Sequence, residues 1–162
     1  MERLTAWEIT TAILAAITPV WIGLVVIIAL SWLLRKKLGL FGKLFGSPIG
    51  MFGLVLVLFW VLTAIFADQI APFDALDQVS GMKNKVPGTP VRGLEGQFYL
   101  LGGDNLARDV FSRLVLGSQQ VMVIAPAATL FAFMVGITLG LPAGFRGGRT
   151  DTALTFLANL VL

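Results

Sequence analysis

The chain has 162 residues, 57% of them hydrophobic and 13% charged, against about 45–50% and about 25% in soluble domains. This balance, with a mean hydropathy of +0.88, excludes a water-soluble globule, and the lack of any Cys or His removes disulfides, thiolate nucleophiles, imidazole bases and the usual zinc ligands. The net charge of +3 comes from basic residues grouped between apolar runs, a pattern that points to membrane topology and not to nucleic acid.

Ile9 to Leu34 is a run of 26 uncharged residues. At about 1.5 Å per residue it exceeds the roughly 30 Å hydrocarbon core, which predicts a spanning helix kinked at Pro19. It is too long for the apolar region of a cleaved signal, and its basic cluster follows it instead of preceding it. Arg35, Lys36, Lys37 and Lys43 come next, mixed with Leu40, Phe41, Leu44 and Phe45. This segment reads equally well as a strip along the headgroup boundary, facing membrane lipid, or as a solvated loop. Ser47 and Pro48 then read as the N-cap and first residue of a second span that lasts to Ala67.

Between residues 68 and 117 the character changes. Asp68, Pro72, Asp74, Asp77, Gly81, Pro87, Gly88, Pro90 and Gly93 predict an irregular extramembrane segment. From Asp104 the spacing of Leu106, Val110, Leu114 and Gly117 predicts a short amphipathic helix on the membrane surface. A third uncharged run, Gly117 to Phe145, contains Pro126 and Pro142, and Arg146 to Asp151 make a loop in which Thr150 reads as an N-cap. The last run, Thr152 to Leu162, is eleven residues long and too short to span, so the chain is expected to stop inside a fourth helix.

The fold class read from this pattern is all-α: a polytopic membrane protein with three complete transmembrane helices, the start of a fourth and a short amphipathic surface helix. Residues 1–41 form an N-terminal helix with its basic connector. Residues 42–116 hold the second span and its outer loop, and residues 117–162 begin a further transmembrane domain.

Basic residues orient the spans. Arg35, Lys36, Lys37 and Lys43 lie within a 13-residue connector that has no acid, and Arg146 and Arg149 lie in the short later loop. Both loops are expected in the cytoplasm. Residues 1–8 and 68–117 are then outside, with six Lys/Arg spread over 58 residues and eight of the nine acids.

Chemistry is sparse. Gly42-Lys43 lacks the remainder of a Walker loop, so direct ATP binding is not expected. Asp68, Asp74 and Asp77 lack calcium-loop spacing and read as a solvated loop. The first three spans carry no ionisable residue, which disfavours an ion-driven carrier. No catalytic residue, metal or cofactor is expected. In the third span Ala128, Ala132, Gly136, Gly140 and Gly144 recur at every fourth position, a stripe that lets another helix approach closely. Spacing alone leaves open whether that neighbour is internal or a second subunit.

Leu101 to Ser118, LGGDNLARDVFSRLVLGS, resembles the LGTDxLGRDVxSRxxYGxR signature of the C-type permease subunits of bacterial oligopeptide, dipeptide and nickel ABC importers. The agreement lies at Asp104, Asn105, Leu106, Arg108, Asp109, Val110, Ser112, Arg113 and Gly117. Pro48, Phe66-Ala67-Asp68 and Ile70 to Asp74 are similar to that subunit's first helix and outer-loop start, and Gly136, Gly140, Ala143-Gly144-Phe145, Gly147-Gly148 and Asp151 to the end of its next helix. The sequence departs at Ala107, where the family has Gly, at Leu116 and Gln119, where it has Tyr and Arg, and at Phe156 and Asn159, where Arg and Asp are common. The first span has no counterpart in the common subunit, and the ATPase-docking loop of the family is not present.

The resemblance implies the N-terminal half of a permease subunit in the bacterial inner membrane, moving peptides as part of a complex. Its implied partners are a second permease subunit, two ATP-binding subunits that carry ATP hydrolysis, and an extracytoplasmic solute-binding protein. Within the signature, Arg108, Asp109 and Arg113 are expected to fix the helix by charge-assisted hydrogen bonds, the alternative being solvated charges worth little. The rival function is a non-transporting membrane scaffold that holds its partner by the small-residue stripe.

Overall fold

The computed structural model describes residues 2–37, 39–146, 148, 152 and 156. Thr5 opens the first helix with a reciprocal cap: its hydroxyl accepts from the Glu8 N–H at 3.3 Å, and the Glu8 carboxylate accepts from the Thr5 N–H at 2.8 Å. The helix, α1 (Ala6–Ala16), gives way at Ile17 to α2 (Thr18–Leu33), and the two are bent by 52°. Pro19 lies in the first turn of α2. It has no N–H, and its ring crowds the preceding turn, so the first run is a broken pair instead of one straight span.

A turn at residues 34–37 leads into a 3₁₀ helix, Gly39–Gly46. A side chain on Gly42 would run into the Arg35 carbonyl, so the connector closes tightly beneath the end of α2. Ser47 caps α3 (Pro48–Ile65) by accepting from the Gly50 N–H at 3.2 Å, with Pro48 at the first position, where its missing N–H costs nothing. Helices α2 and α3 run side by side. Gly23 brings the methyls of Leu62 to 3.1 Å from where its own Cβ would stand, the close approach that small residues allow between membrane helices.

Val20, Leu24 and Leu62 form a core with Ala67, Ile70, Phe111 and Val115. Ala67 and Ile70 come from a single turn, α4 (Ala67–Ile70). Beyond it the chain is mostly irregular. A two-stranded antiparallel ladder of β1 (Thr89–Pro90) and β2 (Phe98–Tyr99) pairs Thr89 with Tyr99 and Pro90 with Phe98. Met82, Val91 and Tyr99 make a second, smaller core, flanked by Phe73, Val79 and Ala107.

Helix α5 (Val110–Arg146) is continuous for 37 residues, through Pro126 and Pro142. The separate surface helix expected from Asp104 is therefore not formed. Residues 104–109 form a non-helical loop closed by a bridge between Gly103 and Asp109, and the helix that follows does not stop at Gly117. The apolar face also differs from the expected one: Phe111 and Val115 are buried with Ser112 and Ser118, whereas Leu106 and Leu114 are 46% and 53% exposed. The Asp104 carboxylate takes the Arg108 N–H that a helix would have given to the Asp104 carbonyl, and α5 starts six residues later with a different face buried.

Two compact units divide α5, one ending at Met122 and the other starting at Val123. Taken by itself, the second unit exposes Phe131, Phe133, Met134 and Ile137 along its helix. The fourth run and the loop before it lie outside the described residues apart from Arg146, which ends α5, and Gly148, Thr152 and Phe156.

Helix α3 and residues Val110–Leu141 of α5 are each long and apolar enough to cross a membrane, and the bent pair α1–α2 reaches that length only when its two helices are taken together. Apolar side chains face outward along these helices, with Ile49 86% and Val25 68% exposed. This is a membrane protein.

The N-terminus is tied to the irregular segment. Leu4 donates its N–H to the Gly88 carbonyl at 3.0 Å, and Gly88, at φ 75°, sits against Leu4 and Ile9 so closely that a Cβ would clash with both. Both therefore lie at one end of the α2–α3 pair, and the basic connector lies at the other. Single cysteines at Arg3 and Lys85 should share one pattern of labelling by an impermeant thiol reagent on intact cells, and a cysteine at Lys37 should show the opposite pattern. Identical labelling at all three would contradict this arrangement.

Candidate functional site

The signature residues converge on the turn that launches α5. Gly102 and Gly103 bring two backbones together: the Gly103 N–H donates to the Lys85 carbonyl at 2.9 Å. A Cβ on Gly102 would run into that same carbonyl, and one on Gly103 into the carbonyl of Met82. Gly102 has φ 87°, open to glycine at little cost. Gly103 stands where the resembled signature has Thr, and the 82–85 turn has closed onto the space.

Asp104 is the hub. Its Oδ1 accepts from the Leu106 N–H at 2.8 Å and the Arg108 N–H at 2.9 Å, and its Oδ2 accepts from Arg108 Nε at 2.9 Å and from Arg113 Nη1. Its backbone takes part as well: Asp104 N–H donates to the Arg108 carbonyl at 3.0 Å, and its carbonyl accepts from the Asn84 N–H at 2.9 Å. Desolvation works against the ionised carboxyl, but the donors on Arg108 and Leu106 and the Arg108 charge outweigh it, holding the pKa at about 2, below the ordinary 3.8.

Asp109 has a different role. It is 1% exposed and caps α5, its Oδ2 accepting from the Ser112 N–H at 2.8 Å and the Ser112 hydroxyl at 2.7 Å. Ser112 Oγ in turn accepts from the Phe73 N–H at 3.1 Å, which joins the cap to the start of the irregular segment. Burial raises the Asp109 pKa, and the hydrogen bonds from Ser112 and Phe111 oppose the rise. Among the described residues Asp109 Oδ1 has no partner.

The other sequence-predicted residues are dispersed. Asn105 is exposed, and Gly117 has open space where a side chain would stand. Ala128, Ala132, Gly136, Gly140 and Gly144 are all exposed along the second unit, where the three glycines and the side chains between them line a shallow groove of about 390 Å³. Arg35 stacks on Trp32, its guanidinium carbon 5.0 Å from the ring centre, and Lys36 and Lys37 are exposed. The side chains of Lys43 and Arg146, and Arg149 as a whole, lie outside the described residues.

Three features escaped the sequence reading. Tyr99, the one tyrosine in the chain, is fully buried, donates its hydroxyl to the Ala107 carbonyl at 3.0 Å and meets Phe73 edge-on at 5.2 Å. The available signal was an isolated tyrosine between Phe98 and Leu100 in a glycine-rich loop. Ala107 has φ 62°, the left-handed region that suits the glycine of the resembled signature. Gln119, which replaces the signature's arginine, reaches Asp68 Oδ2 at 3.3 Å, joining α5 to the end of the second span. The arrangement is a structural junction: it sets where α5 starts and binds it to the segment above.

A family model described as the N-terminal TM domain of oligopeptide transport permease C matches residues 40–87. A di/tripeptide transport system permease protein of Pseudomonas aeruginosa is 35% identical over 112 residues, 68% of this chain and 36% of the relative. A dipeptide transport system permease protein of Haemophilus influenzae is 32% identical over 69% of this chain and 37% of its own length. An oligopeptide transport system permease protein of Bacillus subtilis is 29% identical over 71% and 35%. The alignments cover little more than a third of the length of these curated relatives. No solved structure matches the chain.

Two substitutions test the junction. Because the folded pKa of Asp104 lies below its ordinary value, its stabilisation is present above pH ~4 and is lost as pH falls through ~2. Asp104→Ala should lower the thermal midpoint in detergent at pH 7, with the gap to the parent closing towards pH 2; a gap independent of pH would contradict the charge assignment. Ala107→Gly should raise stability by up to about 1 kcal/mol, the relief of left-handed strain exceeding glycine's extra entropy. A clear loss in denaturant titration would show that Ala107 is not strained.

Proposed function

This chain belongs to the C-type permease subunits of bacterial peptide ABC importers and carries their N-terminal region, and from that premise we propose that it forms part of the wall through which peptides cross the inner membrane. The observation that carries this reading is the joint occurrence of relatives named as peptide permeases and a signature whose charged residues hold one junction, Asp104 to Arg108 and Arg113. The relatives' names lend nothing to a scaffold role.

In this reading the basic connector, with Arg35, Lys36, Lys37 and Lys43, faces the cytoplasm, as do Arg146 and Arg149, and the junction at the head of α5 faces outward. An extracytoplasmic solute-binding protein delivers peptide to that side. Two ATP-binding subunits on the cytoplasmic side supply energy, and a second permease subunit completes the pathway. The small-residue stripe on α5 packs against a neighbouring helix, for which close backbone approach and dispersion supply the attraction. Residues 1–41 add a helix before the permease region, residues 42–116 carry its first span and outer loop, and residues 117–162 begin its next transmembrane domain. The chain holds no nucleotide loop of its own, so ATP hydrolysis belongs to the partners.

The test is reconstitution in liposomes with labelled di- to pentapeptides. Uptake is expected only when the full-length permease pair, the ATP-binding subunits and the binding protein are present with ATP. Saturable uptake by the chain alone, driven by ATP or a proton gradient, would overturn the reading, and so would failure of the complete set to take up any peptide.

A further inference from the structure

A groove of about 830 Å³ lies along the end of α2 and the start of α3, within the size range of small-molecule sites. Val26, Ala29, Leu30 and Trp32 of α2 line it with Phe45 of the 3₁₀ connector and Met51 of α3, and every other lining side chain is apolar as well. Its lower end meets the basic cluster. Trp32, a lining residue, carries the Arg35 guanidinium on its ring at 5.0 Å, and Lys36 and Lys37 follow in the next turn, both exposed. Residues 9–67 contain no acid to neutralise these cations.

We propose that this groove holds one acidic phospholipid, with an acyl chain along the apolar wall and the headgroup phosphate at Arg35, Lys36 and Lys37. Two features favour lipid over another helix. The wall is built from Val, Ile, Leu, Trp, Phe and Met with Ala29 as its one small residue, whereas helices that pack closely in membranes present small residues. The fit to a flexible hydrocarbon chain is better than to a second backbone. Charge complementarity selects the headgroup: Arg35, held on the groove-lining Trp32, and the exposed Lys36 and Lys37 that follow it in the chain match a phosphodiester bearing net negative charge, and a zwitterionic headgroup would place a like charge beside them. Trp32 sets the depth, since tryptophan prefers the boundary between hydrocarbon and headgroups. Arg35 is held over its ring, so the cation is positioned at the rim and not left free in water.

Native mass spectrometry of the purified full chain, offered equal amounts of phosphatidylglycerol and phosphatidylcholine with matched acyl chains, tests the site. Preferential retention of one phosphatidylglycerol is expected. Arg35→Gln, Lys36→Gln and Lys37→Gln should each lower the preference, by up to about fivefold per charge, while Lys83→Gln with Lys85→Gln leaves it unchanged. Ala29→Trp, which fills the groove, should reduce retention of both lipids. A second readout that needs no basic-residue variant is quenching of Trp32 in a chain carrying Trp7→Phe, Trp21→Phe and Trp60→Phe, where brominated phosphatidylglycerol should quench more than brominated phosphatidylcholine. Equal retention and equal quenching by the two lipids would overturn the proposal. So would a preference that survives loss of all three cations, or a disulfide formed between two copies through Val26→Cys in place of lipid binding.

Discussion

One carboxylate, that of Asp104, decides where the longest helix of the protein begins. By accepting two backbone N–H groups and two guanidinium groups at once, it turns residues 104–109 into a closed loop and leaves Asp109 to cap α5. A cap of this kind contributes about 1 kcal/mol, but its larger effect is geometric. With the helix starting at Val110, Phe111 and Val115 point into the core shared with α2 and α3, and Ser112 reaches the backbone of Phe73. A start at Asp104 would leave the Asp109 carboxylate without its capping role in a place where it is almost fully buried.

The helices below this junction obey a different constraint. In a membrane there is no hydrophobic gain from bringing two apolar helices together, so α2 and α3 meet where shape permits it, at Gly23 against Leu62, and leave large apolar side chains facing outward elsewhere. Helices α1 and α2 precede residue 40, where the family match begins, yet Val20 and Leu24 share one core with Leu62, Phe111 and Val115. Helices α1 and α2 thus share a core with residues inside and beyond the matched stretch and are not an appendage to it. The Leu4–Gly88 bond adds a second attachment, at the end of the α2–α3 pair opposite the basic connector.

The irregular segment between α4 and α5 joins these parts with few resources. Its core is three buried side chains, Met82, Val91 and Tyr99, too few to hold the 39 residues between α4 and α5 by burial alone. Backbone contacts supply the rest: Gly102 and Gly103 allow the 82–87 turn to lie directly on them, and the Tyr99 hydroxyl fixes the Ala107 carbonyl. Ala107 accepts a left-handed conformation there, an expense of order 1 kcal/mol that a glycine would avoid.

Hydropathy and charge, read along the chain, were enough to establish an all-α membrane protein, the break near Pro19, the helix start at Ser47 and the irregular segment after the second span, because each depends on local composition or on a single residue's covalent geometry. The signature at Asp104 to Arg113 was legible as a motif, but its roles were not: linear spacing placed Leu106 and Leu114 on the buried face and treated Asp109 as one of several helix-fixing charges. Which N–H groups Asp104 would capture, and that Ser112 would find Phe73 39 residues away, depends on the fold closing first. The same holds for Tyr99 and for the groove beneath Trp32, where residues from α2, the connector and α3 meet. Periodicity reports only which residues lie on a common face of one element; which face is covered, and by what, is decided when distant backbones come within van der Waals and hydrogen-bond range, and only the tertiary structure contains that information.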